Sequence, residues 1–525
     1  MYLKRLLCLL MLLISCIMLS GCRLVRIISN VISIIDDVNV DVTTTTQEEQ
    51  DNPYVTEDPL KGVDVTYTYY ALGLESNYYN WRYINSIGEQ KILVIPVGVE
   101  GYEENMTDLT LDDIEKTFFG ASEDTYWESV SSFYYKSSYG KLSFSGEVIR
   151  DWMGPFSVYD LTSREGGFFK QDYDSMTPVL SATEEFIQSH GIDPLDYDLD
   201  HNGYIDLIWY VYASDDCLKD SSLSDDFWAF TTSAASYGYE KNYIKPVVNN
   251  FCWASYDFMY DAMNNLKHVD KVDAHTYIHE TGHALGLDDY YDADDKRSND
   301  PVENVDMMSA NVIDHNSFSK FALGWINPIN ITEETTITLR PFSTTGDACI
   351  IALNYDGNAF GEYIIFEYFT PTGLNYQDSY LGYSGYKGLD ASGIRIYHVD
   401  ARLCYGNEDS PTIASSYSEL KEKGGNVIFT AYSNTKSYAI VSSGSGRHTT
   451  TKRLISIIDR VQGDKGTFSK TLNEESLYNE NTFFRTSQVK WHSSEKLENE
   501  YVVTFKTTSE GMTLTFQYES SIFGW

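Results

Sequence analysis

Residues 275–292 read HTYIHETGHALGLDDYYD and concentrate side chains that could hold a metal ion. His279 and His283 are four residues apart, so on a helix their rings project from one face and can share one Zn²⁺. Glu280 is rotated away from that pair but can reach a water held on the metal. The glycine that follows can end the helix, and the turned chain could return Asp289 as a third ligand. The alternative is an amphipathic helix whose histidines are incidental.

The pattern H-E-x-x-H-x-x-G-x-x-D resembles the zinc signature of metzincin-like enzymes, with Asp in place of the third His. Together with its surroundings it resembles the immune inhibitor A family of secreted bacterial metallopeptidases. The likeness covers about residues 85–330 and extends more loosely to GEYIIFEYFTPTGLN and GIRIYHVDARL. The segments that carry it are KILVIPVGV (91–99), WESVSSFYYKSSYGKLSFSGEV (127–148), DYDLDHNGYIDLIWYVYA (196–213) and VDMMSANVIDHNSFSKFALGWINP (305–328).

This resemblance implies a set of roles for individual residues. It implies zinc on His279, His283 and Asp289, with Glu280 as the catalytic base. It also implies a methionine turn under the metal, with Met308 as its methionine. The fold implied is an α/β (α+β) metzincin-like catalytic domain, and the activity implied is hydrolysis of protein or peptide substrates.

The methionine turn departs from related sequences in one respect. Those sequences often carry Met-x-Tyr, whose tyrosine can help to hold the oxyanion, whereas residue 310 of this chain is Ala. We therefore expect oxyanion help from His315, Tyr290 or Tyr291, the alternative for each being a residue with no catalytic part. His275, one turn before the first ligand, is expected to be a partly buried structural residue, the alternatives being support of the ligands or a spare ligand.

A second candidate metal site lies in an acidic loop. Asp198, Asp200, Asn202 and Asp206 occupy positions 1, 3, 5 and 9 of an EF-hand-type loop, with Gly at position 6. Position 12 is Trp209 instead of a bidentate Glu, and the flanks read as strand. We predict a structural Ca²⁺ site, the alternative being an acidic turn without an ion. A further acidic run, typical of a solvated loop but able to hold a second Ca²⁺, comprises Asp288, Asp292, Asp294, Asp295 and Asp300.

The first 22 residues, MYLKRLLCLLMLLISCIMLSGC, indicate where in the cell the protein is located. Lys4 and Arg5 precede an apolar run that is too short to span a bilayer in the mature protein. Its end resembles the bacterial lipobox, so residues 1–21 are predicted to be removed as a signal peptide and Cys22 to be lipidated. The chain would then be a lipoprotein anchored in the membrane and exposed outside the cytoplasm. An ordinary secretory signal is the alternative.

The charge, the hydrophobic content and the cysteines of the chain exclude some classes of protein. The formal charge of −39 over 525 residues argues against a nucleic-acid partner, because phosphates would be repelled. With 42% hydrophobic residues, the chain can bury large cores. The cysteines that remain after the predicted signal peptide fit no metal pattern, and their spacing assigns no disulfide.

The pattern of apolar and polar residues changes along the chain. We expect residues 22–61 to hold the lipidated cysteine and a flexible tether. Residues 62–328 alternate buried strands and helices and are expected to form the catalytic domain. Residues 329–525 alternate as short strands separated by turns, which favours a β-sandwich. The last two runs, joined by Ser-Glu-Gly, predict a hairpin. His398, in the strand GIRIYHV, is expected to be structural.

The sequence therefore predicts a membrane-anchored, extracytoplasmic zinc endopeptidase with Glu280 as general base. Two alternatives come from other classes. One is a surface adhesin or glycan-binding lipoprotein with a vestigial protease domain, which the intact base and ligands disfavour. The other is a zinc amidase that acts on cell-wall peptides by the same chemistry.

Overall fold

The computed structural model describes residues 68–69, 83–165, 168–169, 175–234, 239–267, 269–292, 301–303, 305–383, 385–405, 412–415, 417–423, 427–435, 452–464 and 472–523. The predicted signal peptide, Cys22 and the predicted tether lie outside these residues, as do Asp294, Asp295 and Asp300. None of the described helices is long and apolar enough to cross a membrane.

The described chain is a mixed α/β structure with several sheets. Its strands are β1 (Gly88–Val99), β2 (Leu142–Val148), β3 (Met153–Phe156), β4 (Arg164–Glu165), β5 (Phe168–Phe169), β6 (Tyr204–Ile205), β7 (Ile208–Tyr212), β8 (Phe230–Ser233), β9 (Val247–Val248), β10 (Asn250–Ser255), β11 (Ile329–Asn330), β12 (Thr335–Leu339), β13 (Ala348–Ala352), β14 (Glu362–Phe369), β15 (Gly393–Asp400), β16 (Leu403–Tyr405), β17 (Thr412–Ile413), β18 (Val427–Thr430), β19 (Ile455–Ile457), β20 (Phe483–Arg485), β21 (Tyr501–Thr507) and β22 (Met512–Tyr518). Its α-helices are α1 (Asp108–Phe119), α2 (Val130–Ser137), α3 (Thr177–Ser189), α4 (Asp261–Asn265), α5 (His275–Ala284), α6 (Met307–Ala310), α7 (Ser317–Ala322), α8 (Phe342–Thr345), α9 (Tyr376–Tyr380), α10 (Tyr417–Lys423) and α11 (Glu519–Phe523).

The first sheet has the strand order β2-β1-β7-β10-β8, with β3 beside the end of β1. Strands β2, β1, β7 and β10 run parallel, and β8 is an antiparallel edge. The side chains of β7 and those from Ile92 to Ile95 of β1 are completely buried. Such burial on both faces explains why these strands read as continuous apolar runs.

Helix α5, which bears the two candidate histidine ligands, packs on β8 and β10 of this sheet. Tyr277 Oη donates to the backbone oxygen of Ser255 at 2.7 Å, and Trp209 Nε1 donates to Thr281 Oγ1 at 3.2 Å. The helix stops where expected, because Gly286 has a φ of +107° that other residues rarely adopt. The sheet therefore fixes the position of α5, and Gly286 fixes where the helix ends.

Two antiparallel sheets dominate the second half of the chain. One has the order β11-β13-β14-β15-β19, with β11 parallel to its neighbour, and the other has the order β12-β22-β21-β20. The predicted hairpin is confirmed, since β21 pairs with β22 up to Thr507 opposite Met512. A hydrophobic core lies between the two sheets, with Ile364 and Ile396 from the first and Val503 and Leu514 from the second.

The larger hydrophobic core crosses the predicted boundary after residue 328. It combines Ile95 of the first sheet and Tyr277 of α5 with Ile350, Tyr363 and Leu477 from the second half. The two halves therefore bury apolar surface against each other. The described cysteines are free thiols: Cys217, Cys252, Cys349 and Cys404.

Candidate metal centre

His279, His283 and Asp289, which the sequence predicts as zinc ligands, lie together in the structure. The Nε2 atoms of both histidines are 3.1 Å from Asp289 Oδ1. One ligand atom from each of the three residues lies within 4.8 Å of the others. His279 and Asp289 are buried, whereas the edge of His283 is partly open to solvent. The centre is thus a shielded pocket with one accessible side.

The second ring nitrogen of each histidine is held by the backbone. His279 Nδ1 is 2.9 Å from the carbonyl oxygen of Met307, and His283 Nδ1 is 2.8 Å from that of Leu287. Because a carbonyl only accepts, each Nδ1 must donate, which leaves Nε2 of the neutral ring free to bind a metal. Two imidazole nitrogens and one carboxylate form a donor set that suits Zn²⁺.

Electrostatics couple the three residues. Burial alone would raise the pKa of Asp289, but His283 and His279 hold it well below its ordinary value. Burial lowers the pKa of His283, and Asp289 outweighs this effect and raises it to about 9. A proton and a metal ion compete for the same nitrogen, so metal binding at this centre releases a proton.

Glu280 is buried beside the ligands and faces the edge strand β8. Thr231 Oγ1 lies 3.0 Å from Glu280 Oε2 and 2.8 Å from the backbone oxygen of the same residue. Burial raises the pKa of Glu280, and the two histidines oppose that rise without cancelling it. Sequence reasoning did not single out Thr231, because nothing in the local pattern of β8 connects it with a helix 49 residues away.

Met308 packs against the ligand helix between the two histidines. A β-carbon at Gly282 would lie 2.6 Å from Met308 Sδ, so only glycine leaves room for the sulfur. The turn that carries Met308 is fixed by Asp306, whose Oδ1 accepts from Met308 N at 2.8 Å. Tyr290 N donates to the carbonyl oxygen of Met308 at 2.8 Å. The turn that carries Met308 therefore supports both α5 and the segment that follows Asp289.

Gly282→Ala is expected to destabilise the protein by about 1–3 kcal/mol, as overpacking of a filled core does. The added methyl group must displace Met308 or α5, so zinc should also bind less tightly. Urea unfolding and zinc content measure the two effects. Gly361→Ala is the matched control, because its β-carbon would lie 4.0 Å from the nearest atom. Equal stability of the two variants would contradict the packing of Met308 on Gly282.

The three candidates for oxyanion help differ in accessibility. Tyr290 is fully buried, and its hydroxyl is 2.7 Å from Ser319 Oγ. His315 is fully buried against the rings of Phe133 and Tyr134, and burial holds its pKa well below the ordinary value. Their burial argues against contact of either side chain with a substrate oxygen. Tyr291 is partly exposed, so it is the one of the three candidates that a substrate could contact.

His275 is structural, as expected, and holds two parts of the chain together. Its Nδ1 is 3.0 Å from the Asp273 carboxylate, and its Nε2 is 3.3 Å from that of Asp378. The ring is stacked between Trp127 and Tyr383, at centroid distances of 4.3 and 4.0 Å. Burial lowers the pKa of His275, but the two carboxylates dominate and raise it to about 10. His275 is therefore an imidazolium at neutral pH.

The acidic loop gathers three of its four predicted Ca²⁺ ligands. Oxygens of Asp198, Asp200 and Asp206 lie within 4.8 Å of one another. Asn202 lies beside them, since its Nδ2 donates to Asp200 Oδ2 at 2.8 Å and its Oδ1 accepts from Tyr204 N at 2.9 Å, and its role as a Ca²⁺ ligand stays a prediction. Burial and the Asp200 carboxylate raise the pKa of Asp198 to about 7. Three carboxylates in so small a volume match the oxygen ligands of a hard cation.

Ca²⁺ is expected to raise the melting temperature of the protein through this loop. At a hundred times the dissociation constant, one site adds about 2.7 kcal/mol to the free energy of unfolding. Asp206→Asn should remove most of the increase, since it takes away one of the three carboxylates. Asp390→Asn, at an exposed position that pairs with Lys387, serves as the control. An identical Ca²⁺ response in both variants would contradict the site.

The acidic run after the zinc ligands does not form a second cluster in the part that the structure describes. Asp292 pairs with Arg453 at 2.5 Å, and Asp288 accepts a hydrogen bond from Ser433. Neither carboxylate belongs to a described group that could share an ion. These two residues therefore attach the segment after Asp289 to the second half of the chain.

No protein-family model matches the chain, and no curated protein matches it.

Proposed function

We propose that the protein is a zinc metallopeptidase of the immune inhibitor A type, which hydrolyses peptide bonds in proteins or peptides. The observation that carries the proposal is the convergence of His279, His283 and Asp289 beside the buried Glu280. Catalytic zinc sites combine three protein ligands with an open position for water, and H-E-x-x-H on a helix adds a base at the required place. The partly open side of His283 gives a substrate access to that position.

Different residues would bind the metal, transfer the proton and orient the base during hydrolysis. Zinc, when bound by His279, His283 and Asp289, makes water acidic and polarises the scissile carbonyl group. Glu280 accepts a proton from the attacking water and donates it to the amine that leaves. The Thr231 hydroxyl, 3.0 Å from Glu280 Oε2, orients this carboxylate. Burial of the carboxylate raises its pKa and so assists acceptance of the proton from water.

We also propose a domain architecture, a cellular location and a second ion. A metzincin-like catalytic unit would be followed by a C-terminal β-sandwich, which the core between the two antiparallel sheets supports. The lipobox-like sequence supports a lipid on Cys22 and a site of action outside the cytoplasm. The carboxylate cluster of the acidic loop supports Ca²⁺ as a second, structural ion.

The test uses the full chain and its His283→Gln variant, with zinc content and casein cleavage as readouts. We expect the variant to lose one zinc equivalent and its casein cleavage, because two ligands do not hold the ion. A chelator should abolish cleavage by the wild type, and added zinc should restore it. His190→Gln removes an exposed histidine outside the centre and is the control.

Three results would overturn the proposal. Cleavage that persists in His283→Gln would show that the activity does not depend on this centre. Cleavage of purified cell wall without cleavage of casein or a peptide library would favour an amidase acting on cell-wall peptides. Zinc binding that is equal in the wild type and His283→Gln would exclude the centre as a zinc site.

A further inference from the structure

A second group of metal-binding side chains lies in the C-terminal half of the chain, apart from the candidate centre. Glu362, His398 and His492 each place one ligand atom within 4.8 Å of the others. His398 Nε2 is 3.2 Å from Glu362 Oε1, and the two imidazole centroids are 4.5 Å apart. We propose that these three residues bind a divalent transition-metal ion, with Zn²⁺ as the best match to two histidines and one carboxylate.

Strand pairing brings the first two ligands to the same face of the sheet. His398 of β15 pairs with Ile364 of β14, so Glu362 lies diagonally across from it on the same face. That face looks toward the four-stranded sheet, since Ile364 and Ile396 belong to the core between the sheets. His492 arrives from the segment after β20. The group thus lies at the end of the interface between the sheets, where a loop closes it.

Each histidine of the group has a carboxylate on its other nitrogen. Asp464 Oδ2 is 3.2 Å from His398 Nδ1, and Asp400 Oδ2 is 3.1 Å from His492 Nδ1. Histidines that bind metals usually donate their second N–H to a carboxylate or carbonyl, which fixes the tautomer and strengthens the ligand. The contacts therefore leave Nε2 of both rings for the ion.

The carboxylate ligand is also held in place. Ser493 N donates to Glu362 Oε2 at 3.0 Å, and the backbone N–H of His492 donates to Oε1. Arg402 binds the Asp400 carboxylate with two contacts of 2.8 Å. The group repeats the plan of the candidate centre, in which the Nε2–carboxylate distance is 3.1 Å and Nδ1 is bonded elsewhere.

The net negative charge of the group favours binding of a divalent cation. Three buried carboxylates, those of Glu362, Asp400 and Asp464, face the guanidinium of Arg402, and the Lys452 ammonium donates to the His492 carbonyl oxygen at 2.8 Å, so the group is net negative with neutral histidines. Buried charge without compensation is costly, and an M²⁺ ion would compensate it. A proton on His398 is the alternative, and an unchanged zinc count in His492→Gln would favour it.

The ion would be structural in its effect. The His398 ring contacts Trp491 edge-on at 5.6 Å, and the His492 ring contacts Tyr432 at 5.3 Å. Binding would hold the segments that carry Asp464 and His492 on the five-stranded sheet. Since a metal that binds only the folded state stabilises it by mass action, zinc should raise the melting temperature through this group as well.

The decisive experiment measures zinc stoichiometry of the full chain after metal removal and titration with Zn²⁺. We expect two equivalents in the wild type, one in His283→Gln, one in His492→Gln and none in the double variant. Co²⁺ replaces Zn²⁺ in a parallel titration, so that its visible absorption reports each site separately. His190→Gln should keep both equivalents.

A second, milder variant tests the proposal even if His492→Gln does not fold. Asp464→Asn keeps all three ligands and is expected to weaken the second equivalent roughly 10–100-fold, the usual effect of removing a supporting carboxylate. The proposal fails if His492→Gln folds and keeps the zinc count of the wild type, or if a single wild-type equivalent is lost in His283→Gln. A single equivalent that is lost in His492→Gln alone would instead refute the zinc peptidase.

Discussion

Glu280→Gln is expected to slow peptide hydrolysis by roughly 10²–10⁴-fold, the usual contribution of a general base. The amide has the size of the carboxylate and can still accept a hydrogen bond from Thr231, so the packing around it should persist. It cannot accept the proton of the attacking water. Zinc content and melting temperature should therefore match the wild type while kcat/KM on a fluorogenic peptide falls.

Glu185→Gln is the control for this result, because Glu185 is exposed on α3 and far along the chain from the ligands. A Glu280→Gln enzyme with wild-type kcat/KM would assign the base to another residue. Loss of zinc together with activity would mean that the glutamate acts through the ligands rather than on the water.

The second large effect is expected at His275, where His275→Gln should lower the free energy of unfolding by about 3–5 kcal/mol. The imidazolium lies between the carboxylates of Asp273 and Asp378. Removing it leaves two buried negative charges without their cation and breaks the stack between Trp127 and Tyr383. Urea unfolding of the variant beside His190→Gln measures the loss.

The pH dependence of this effect has a definite sign. The pKa of His275 is raised to about 10 from an ordinary value of 6.5, so the folded protein binds this proton more tightly than the unfolded chain does. The stabilisation is complete below pH 6.5 and declines as the pH rises toward and through 10. The difference in melting temperature between wild type and His275→Gln should therefore narrow between pH 7 and 10. A constant difference over that range would contradict an imidazolium at this position.

The parts of the fold that depend on local sequence could be predicted. A spacing of four residues places His279 and His283 on one helical face, and Gly286 ends that helix by its backbone freedom alone. The buried strands β1 and β7 follow from continuous apolar runs, and the hairpin of β21 and β22 follows from alternation around a turn. These features need information from about ten neighbouring residues.

The parts that depend on distant residues could not be predicted. His398 has Asp400 as its local carboxylate, yet its contacts are Glu362 and Asp464, which are 36 and 66 residues away. His275 depends on Asp378, 103 residues along the chain. Spacing in the sequence gives no signal for such pairs.

The larger hydrophobic core, which joins the two halves of the chain, has a consequence for the timing of biosynthesis. Tyr277 of α5 and Leu477 both belong to this core, so the core that includes α5 is not complete until residue 477 has been synthesised. At 5–20 residues per second, a ribosome needs roughly 10–30 s to proceed from residue 328 to residue 477. A chain released early would carry His279, His283, Asp289 and Glu280 without the part of the core that the second half supplies. The order of synthesis therefore delays completion of this core until the polypeptide is nearly finished.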